Sequence, residues 1–394
     1  MIISIAMGPW LPVPAVQGGA IPRLWQGLAE EFAKKGHQVK ILCRSYPGQP
    51  DTEIINGVQY IRRGGLPQST NITLDLIKDL FYALVTFPVL PPADILIIND
   101  FWLPVFASLR PQVGKIVINA NRFPKGQYRS GLYVKTAFFA AASQIIKDSI
   151  IQEYPAATSR TKVIPNPIDT SIFSPPNRSR LAQKETVILY VGRVHPEKGI
   201  HLLLAAFSML SPRIPTVKLR IIGPVKENQG GGGEKYLHTL QTQSENLNVE
   251  FVEPIFNIQE LAKAYQEADL FCYPSLAEKG ESFGVAPLEA MATALVPVVS
   301  DLACFRDFIQ EGVTGYFFDH RSPDAAKNLA DVLASAILNS DRTMQMALQA
   351  RQQASEFSYE QIANQYLADF EKLLHNQSIL DTKFQQTQHT VSKI

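Results

Sequence analysis

The 394-residue chain is short of the features that mark several function classes. It has three cysteines, Cys43, Cys272 and Cys304, an odd and widely spaced set. Two of them sit in apolar runs, so buried thiols in a reducing cytoplasm are expected rather than disulfides or a zinc site. A formal net charge of +1 lacks the basic excess of a general nucleic-acid binder. No apolar run is long enough for a membrane span: "LFYALVTFPVLPPADILII" is broken by Pro88, Pro91, Pro92 and Asp94. Part of that stretch could dip into lipid, and a buried core explains it equally well. "MIISIAMGPWLPVP" has no charged n-region and reads as a first strand rather than a leader. No Walker loop and no dinucleotide fingerprint occurs, and no cluster of carboxylates, histidines and cysteines has metal-ligand spacing.

What is present is an ordinary globular composition, 46% hydrophobic and 19% charged, long enough for two domains. "IISIAM", "QVKILC", "ADILIIND" and "KIVINAN" alternate with helical patterns, as a parallel sheet with crossover helices requires. A helix to Lys35, with Ile21, Leu24, Leu28 and Phe32 on one face, follows Gly18-Gly19. That glycine turn either admits an anion or sugar ring to backbone N–H groups or simply needs positive φ. Pro165, Pro167, Pro175 and Pro176 mark a linker in "VIPNPIDTSIFSPPN". Beyond it "TVILYVGR", "VKLRIIGP", "NVEFVE", "ADLFCYPS", "LVPVVS" and "TGYFF" restart the strand pattern. A last helix, Ser358 to Leu374, presents Ile362, Tyr366, Phe370 and Leu373. The tail from residue 375, rich in Gln, Thr and Ser, is expected to be mobile.

In "YVGRVHPEKG" a strand runs into Gly192-Arg193, and Lys198-Gly199 precede a helix. Two cations at a helix N-terminus suit a diphosphate, although solvated loop charges are the plain alternative. In "EKGESFGVAPLEAMA" Glu281 falls in a loop and Glu289 in the first turn of a helix starting near Pro287, both ordinary places for glutamate.

The spacing E-x7-E with Phe-Gly after the first Glu resembles the signature of retaining, nucleotide-sugar-dependent glycosyltransferases of family 4. "GGAIPRLWQGLAEEFAKKGHQV", "VIPNPIDTSIFSP", "YVGRVHPEKG" and "GVTGYFFD" are similar to that family's other segments, in the same order, to about residue 374. The resemblance implies a GT-B architecture: two α/β Rossmann-like domains with parallel sheets facing across a cleft. Residues 1–165 would bind the acceptor and 166–357 the nucleotide sugar, with the helix 358–374 crossing back to the N-terminal domain.

The resemblance also assigns roles. Arg193 and Lys198 would hold the donor diphosphate, Glu289 the ribose hydroxyls and Glu281 the transferred sugar, so Glu281, Lys198 and Arg193 are the expected catalytic set. Ser282 and the backbone N–H groups near Phe283 and Gly284 would approach the sugar or phosphate, and Gly223 would lie near the base. Neither metal nor cofactor is expected beyond the nucleoside-diphosphate sugar itself. The acceptor would be a hydroxyl compound, lipid-linked in one version, met by a cytoplasmic enzyme with at most peripheral contact to the inner membrane face. No nucleic-acid partner is expected.

Two departures stand out. Many members carry a histidine near "VINANRFPKGQ", but none lies between His37 and His195 here, leaving Asn119, Asn121 or Lys125 to stand in. Gly230 to Gly233 looks like an added flexible loop, a lid or a passive insertion. Asp100 and Trp102, after a strand, could meet the acceptor or pack in the core. An epimerase of the same architecture and a non-catalytic sugar-nucleotide binder are the rival readings.

Overall fold

The computed structural model describes residues 1–16, 19–69, 71–176 and 185–376. Gly18 and the tail beyond Asn376 lie outside these residues, so the expectations placed on them are not addressed. The chain divides into two compact units, 1–167 with 359–394, and 168–358.

The first unit is built on eight strands: β1 (Ile2–Ala6), β2 (Gln38–Cys43), β3 (Thr52–Ile55), β4 (Val58–Arg62), β5 (Ile95–Ile98), β6 (Lys115–Ala120), β7 (Phe138–Ala141) and β8 (Thr161–Val163). Their order is β3-β4-β2-β1-β5-β6-β7-β8, and every pairing is parallel except the β3–β4 hairpin. That hairpin turns at Asn56-Gly57, both at positive φ, which suits a tight two-residue turn. Strands such as "ILII" and "FFAA" are buried at every position, as a sheet covered on both faces demands.

Helix α1 (Ala20–Lys34) buries Leu24, Trp25, Leu28 and Phe32. Its partner is the last helix, Tyr359–Leu374, which buries Ile362, Tyr366 and Phe370. Trp25 and Phe32 meet Tyr366 with ring centroids 5.6 and 6.3 Å apart. Gly27 permits this approach, since a Cβ there would fall 2.4 Å from the Tyr359 ring. The apolar stripe legible in the final helix thus finds its partner within the first unit.

The second unit holds β9 (Thr186–Val191), β10 (Val217–Ile222), β11 (Val249–Val252), β12 (Leu270–Tyr273), β13 (Val296–Ser300) and β14 (Tyr316–Phe318). They form one parallel sheet in the order β11-β10-β9-β12-β13-β14. Order reverses beside β9, and in such sheets ligands bind at the carboxyl ends of the strands flanking that point. Helix α5 (Ile200–Leu210) follows β9, α7 (Ile258–Gln266) precedes β12, and α8 (Val285–Ala292) follows it. In the first unit α2 spans Ile72–Thr86, α3 Leu103–Ala107 and α4 Gln144–Glu153, while in the second unit α6 spans Glu234–Gln243.

Candidate active site

Of the expected cations and carboxylates, Arg193, Lys198 and Glu281 come together at the carboxyl ends of β9 and β12. Beyond β9 the chain passes Gly192-Arg193, makes one tight turn over Pro196–Lys198 and enters α5. Lys198 is buried, and its Nζ lies 2.7 Å from Glu281 Oε2. The Ser275 hydroxyl donates to the same oxygen at 3.0 Å. Lys198 also faces the Tyr273 ring, 5.6 Å from its centroid. A buried ion pair survives desolvation only when its remaining hydrogen-bonding capacity is also met, which Ser275 and Tyr273 help to do.

Arg193 is half-exposed and donates from Nη2 to the Glu197 carboxylate and from Nη1 to Gly230 O at 2.7 Å. Gly230 to Gly233 is therefore no free insertion: Gly232 N donates to Val194 O and Gly233 N to Val225 O, binding the glycine run to the loop that carries Arg193. His195 Nδ1 accepts from Glu197 N at 3.3 Å, capping the turn rather than pointing to a metal. Among the described residues no group of three or more His, Cys, Asp or Glu is placed to hold a metal ion.

Helix α8 begins at Val285, two residues before the expected start, with Gly284 at φ 93° in front of it. A Cβ at Gly284 would also strike the Phe305 ring at 2.4 Å, so neither the backbone nor the space admits another residue without strain. The earlier start places Glu289 in the second turn, a correction to its expected place in the first, and removes the helix-dipole explanation for it. Glu289 is instead buried, accepting from the Tyr265 hydroxyl at 2.8 Å. Tyr265, on α7, carried no signal in the sequence beyond an apolar helix position. Ser282 is half-buried beside Glu281, and the Phe283 ring packs on Phe308 and Phe357, leaving only its backbone for a ligand.

A cleft of about 230 Å³ opens beside Arg193, lined by Gly192, Gly223, Pro254, Phe256 and Leu261. Gly223 backs it by close approach: a Cβ there would lie 1.8 Å from Gly192 O. The cleft is mostly apolar with a guanidinium at its edge, dimensions and chemistry that suit a planar base. Of its walls the sequence had singled out only Arg193 and Gly223. Pro254 and Phe256 follow β11 in a loop with no motif to announce them.

The first-unit candidates separate. Asn119 Nδ2 donates to Asn99 Oδ1 at 2.7 Å, an oxygen that also accepts from Trp25 Nε1. Asn121 has both amide atoms buried without a hydrogen-bond partner. Lys125 is exposed on a loop. Asp100 Oδ1 caps Trp102 N and Leu103 N at 2.9 and 3.0 Å, an architectural use, while the Trp102 indole donates to Leu76 O. Asp79 accepts from Phe101 N and Trp102 N, while Asp100 Oδ2 is buried without a hydrogen-bond partner. Burial first, then the neighbouring Asp79 carboxylate, holds Asp100 well above the usual carboxylate range, and burial raises Asp79 too. Gly19 has φ 99° and a Cβ there would meet Leu11 at 2.5 Å, so the need for positive φ accounts for it without a ligand. The three cysteines are free and buried, with burial pushing Cys43 up to about 11.

The chain thus carries two α/β units, the second with Arg193, Lys198 and Glu281 together at the switch point of its sheet. Residues 174–353 match the family described as glycosyl transferases group 1, and residues 21–172 match glycosyltransferase family 4. The chain belongs to these group 1 glycosyltransferases of the family 4 type, with the GT-B fold. It is 25% identical to spore coat protein SA of Bacillus subtilis over 94% of this chain and 100% of that protein. It is 28% identical to a D-inositol 3-phosphate glycosyltransferase of Nocardioides, over 58% of this chain and 52% of that one. The chain thus spans all of the first relative and about half of the second. In fold it is similar to a sucrose-phosphate synthase from Thermosynechococcus elongatus (TM-score 0.74, 19% identity, 95% of this chain and 100% of that chain). HepE of Anabaena, solved with UDP-glucose, gives a TM-score of 0.71 at 18% identity over 94% and 100%. An epimerase is not favoured by these matches.

Proposed function

We propose that this glycosyltransferase moves a sugar from a nucleoside-diphosphate donor to a hydroxyl acceptor with retention of configuration, without metal or cofactor. The observation that carries the reading is the buried Lys198–Glu281 pair beside Arg193, at the carboxyl ends of β9 and β12. Arg193 and Lys198 would bind the donor diphosphate, the base would enter the apolar cleft, and Glu289 would accept from the ribose hydroxyls. Glu281 would accept from hydroxyls of the sugar. As the bond from the anomeric carbon to phosphate oxygen breaks, charge grows on the leaving diphosphate, and cations fixed in advance stabilise it more than they stabilise the bound donor. The acceptor oxygen forms its bond on the same face while its proton passes to the leaving phosphate oxygen. No protein nucleophile is required.

The UDP-glucose complex of HepE supports a nucleotide-sugar donor, and the inositol phosphate transferase supports a hydroxyl acceptor. Asn121 is the first-unit candidate whose buried amide has hydrogen-bonding capacity left to meet a ligand. A cytoplasmic enzyme with a lipid-linked acceptor, touching the inner membrane face, completes the reading. No described helix is long and apolar enough to cross a membrane.

The test is a transfer assay across UDP, GDP and ADP sugars with nuclear magnetic resonance of the product. Retention at the anomeric carbon, undiminished by chelator, is the expected result. Inversion, or loss of activity with chelator, contradicts it.

A further inference from the structure

The run Gly230 to Gly233, between β10 and α6, has the composition of a slack linker, yet it is docked residue by residue. Gly230 N donates to Glu227 O at 2.9 Å and Gly231 N to Lys226 O at 3.0 Å, which folds the segment back on itself. Gly233 N donates to Val225 O at 2.9 Å and Gly232 N to Val194 O at 2.8 Å, which fastens it to the residue after Arg193. Space demands glycine here as much as backbone freedom does. A Cβ at Gly231 would fall 2.1 Å from Val225 O, and one at Gly230, where φ is 81°, would fall 2.9 Å from Arg193 Cδ. All four N–H groups of the run are spent inside the protein, so the run is no cradle for a phosphate. What it offers the site is a carbonyl.

That carbonyl is Gly230 O, which accepts from Arg193 Nη1 at 2.7 Å. Glu197, in the turn after β9, takes Nη2. The backbone of Arg193 is fixed as well: its own carbonyl accepts from the Tyr190 hydroxyl at 3.0 Å, and Val194 N donates to Pro224 O at 2.9 Å. The two groups that hold the guanidinium differ in kind. Glu197 cancels the charge it holds, and as a half-exposed partner it is surrendered at small cost. A neutral carbonyl orients one arm of the fork and leaves the charge whole for a ligand. Of the five guanidinium N–H groups two are engaged by described residues, so three remain for a ligand in the cleft that Arg193 lines.

We propose that the Gly230–Gly233 segment is a positioning element for donor binding: its Gly230 carbonyl aims the Arg193 guanidinium at the diphosphate, and the segment itself touches no ligand. The proposal rests on the donor reading above and adds to it the element that sets the geometry of one of its cations. An arginine free to rotate loses side-chain entropy when it closes on a phosphate, whereas one already held by a carbonyl has lost it beforehand. Two other roles for the run fit less well. A hinged lid is poor in internal hydrogen bonds, and here every N–H of the run makes one. A passive insertion would tolerate a methyl group at Gly230 and Gly231, where the space is already taken.

The test is calorimetric titration of the full chain with UDP, GDP and ADP and with the matching monophosphates. The gain in affinity on adding the second phosphate isolates that phosphate's contacts with the cations. For the nucleotide that wild type prefers, Gly231→Ala should lower the gain about tenfold, the worth of one charged hydrogen bond, and leave monophosphate affinity within about twofold. In an Arg193→Ala background the same change should cost nothing further, because the segment acts through that guanidinium. Arg193→Lys, which keeps the charge but not the fork, should lose the gain to a similar extent. Gly230→Ala, whose added methyl meets the Arg193 side chain, carries the same prediction where thermal unfolding shows that Gly231→Ala does not fold. The inference is overturned if the glycine variants keep the full gain, or if they weaken monophosphate and diphosphate equally. It is also overturned if their cost is undiminished in the Arg193→Ala background, or if wild type gains nothing from the second phosphate. A folded wild type that binds no nucleotide overturns the donor reading and the inference with it, and is told apart from the other outcomes because it is seen before any variant is made.

Discussion

Lys198 and Lys135 are both lysines set close to a parallel sheet, yet Lys198 lies 2.7 Å from a carboxylate and Lys135 reaches only the Ser108 carbonyl at 3.3 Å. The contrast extends to their units. In the second, Lys198 is paired with Glu281, Arg193 with Glu197 and Arg220 with Glu250 and Glu267. The first unit also pairs Arg62 with Glu53 and Lys162 with Asp369, but among the described residues no carboxylate lies within 4 Å of Arg110, Lys115 or Lys135, and Asn121 is buried with its amide unmet. Internal pairing fixes side chains in place before a ligand arrives, which suits a charged ligand that must be held in one pose. The prearranged cations stand at the switch point of the second unit, and the β6 edge of the first has no such pairing among the described residues.

The largest expected effect breaks the pairing in the second unit. Lys198→Ala should lower kcat by about 10² to 10³, as loss of a group stabilising developing charge does. It should also destabilise the fold by about 3 kcal/mol, because Glu281 is left buried without its cation. The double variant Lys198→Met/Glu281→Leu should recover that stability in thermal unfolding while activity stays lost. Recovery of activity along with stability would show the pair to be scaffolding only.

Next in size is Gly27→Ala, which drives a methyl into the Tyr359 ring and should cost about 1 to 3 kcal/mol in denaturant unfolding with donor binding unchanged. Altered nucleotide affinity there would argue against the independence of the two halves. Tyr265→Phe removes the hydroxyl that Glu289 accepts from and should weaken donor affinity by about tenfold, read by calorimetry, with a stability loss of about 1 kcal/mol.

The smallest effect sharpens the picture of the first unit. Asp79 and Asp100 have raised values in the fold, so their contribution is complete below the ordinary carboxylate range and is lost as pH rises through the raised value. Wild-type stability should therefore fall over that rise, at up to about 1.4 kcal/mol per pH unit for one proton. Asp100→Asn, which imitates the protonated acid, should flatten the fall. An unchanged pH profile would contradict the raised Asp79 and Asp100 carboxyls.

Much of the second unit was legible in the sequence because its strands are short β-branched runs closed by Gly, Pro or Ser, and because Arg193, Lys198, Glu281 and Glu289 stand at tell-tale spacings. Pro287 points to a helix start that puts Glu289 in the first turn, whereas Gly284 at positive φ starts the helix two residues before. Tyr265 and the cleft wall at Pro254 and Phe256 come from loops and helix faces that only the fold brings to the site. In the first unit the hairpin β3–β4 carries a readable signal, Asn56-Gly57 between alternating residues. β7 and β8 are too short, at four and three residues, for periodicity to speak. That α2 leaves Leu74, Ile77, Phe81 and Val85 exposed was invisible for a different reason. Period alone shows that a helix has two sides but not which one faces the sheet.

The central claim is that the second unit holds a nucleoside-diphosphate sugar through Arg193, Lys198, Glu281 and Glu289. Calorimetric titration of UDP, GDP and ADP sugars into wild type and into Lys198→Met/Glu281→Leu tests it most directly. Tight binding of one nucleotide sugar to wild type, lost in the equally stable variant, is the predicted result. Equal affinity in both proteins, or no binding by a folded wild type to any donor, would contradict it.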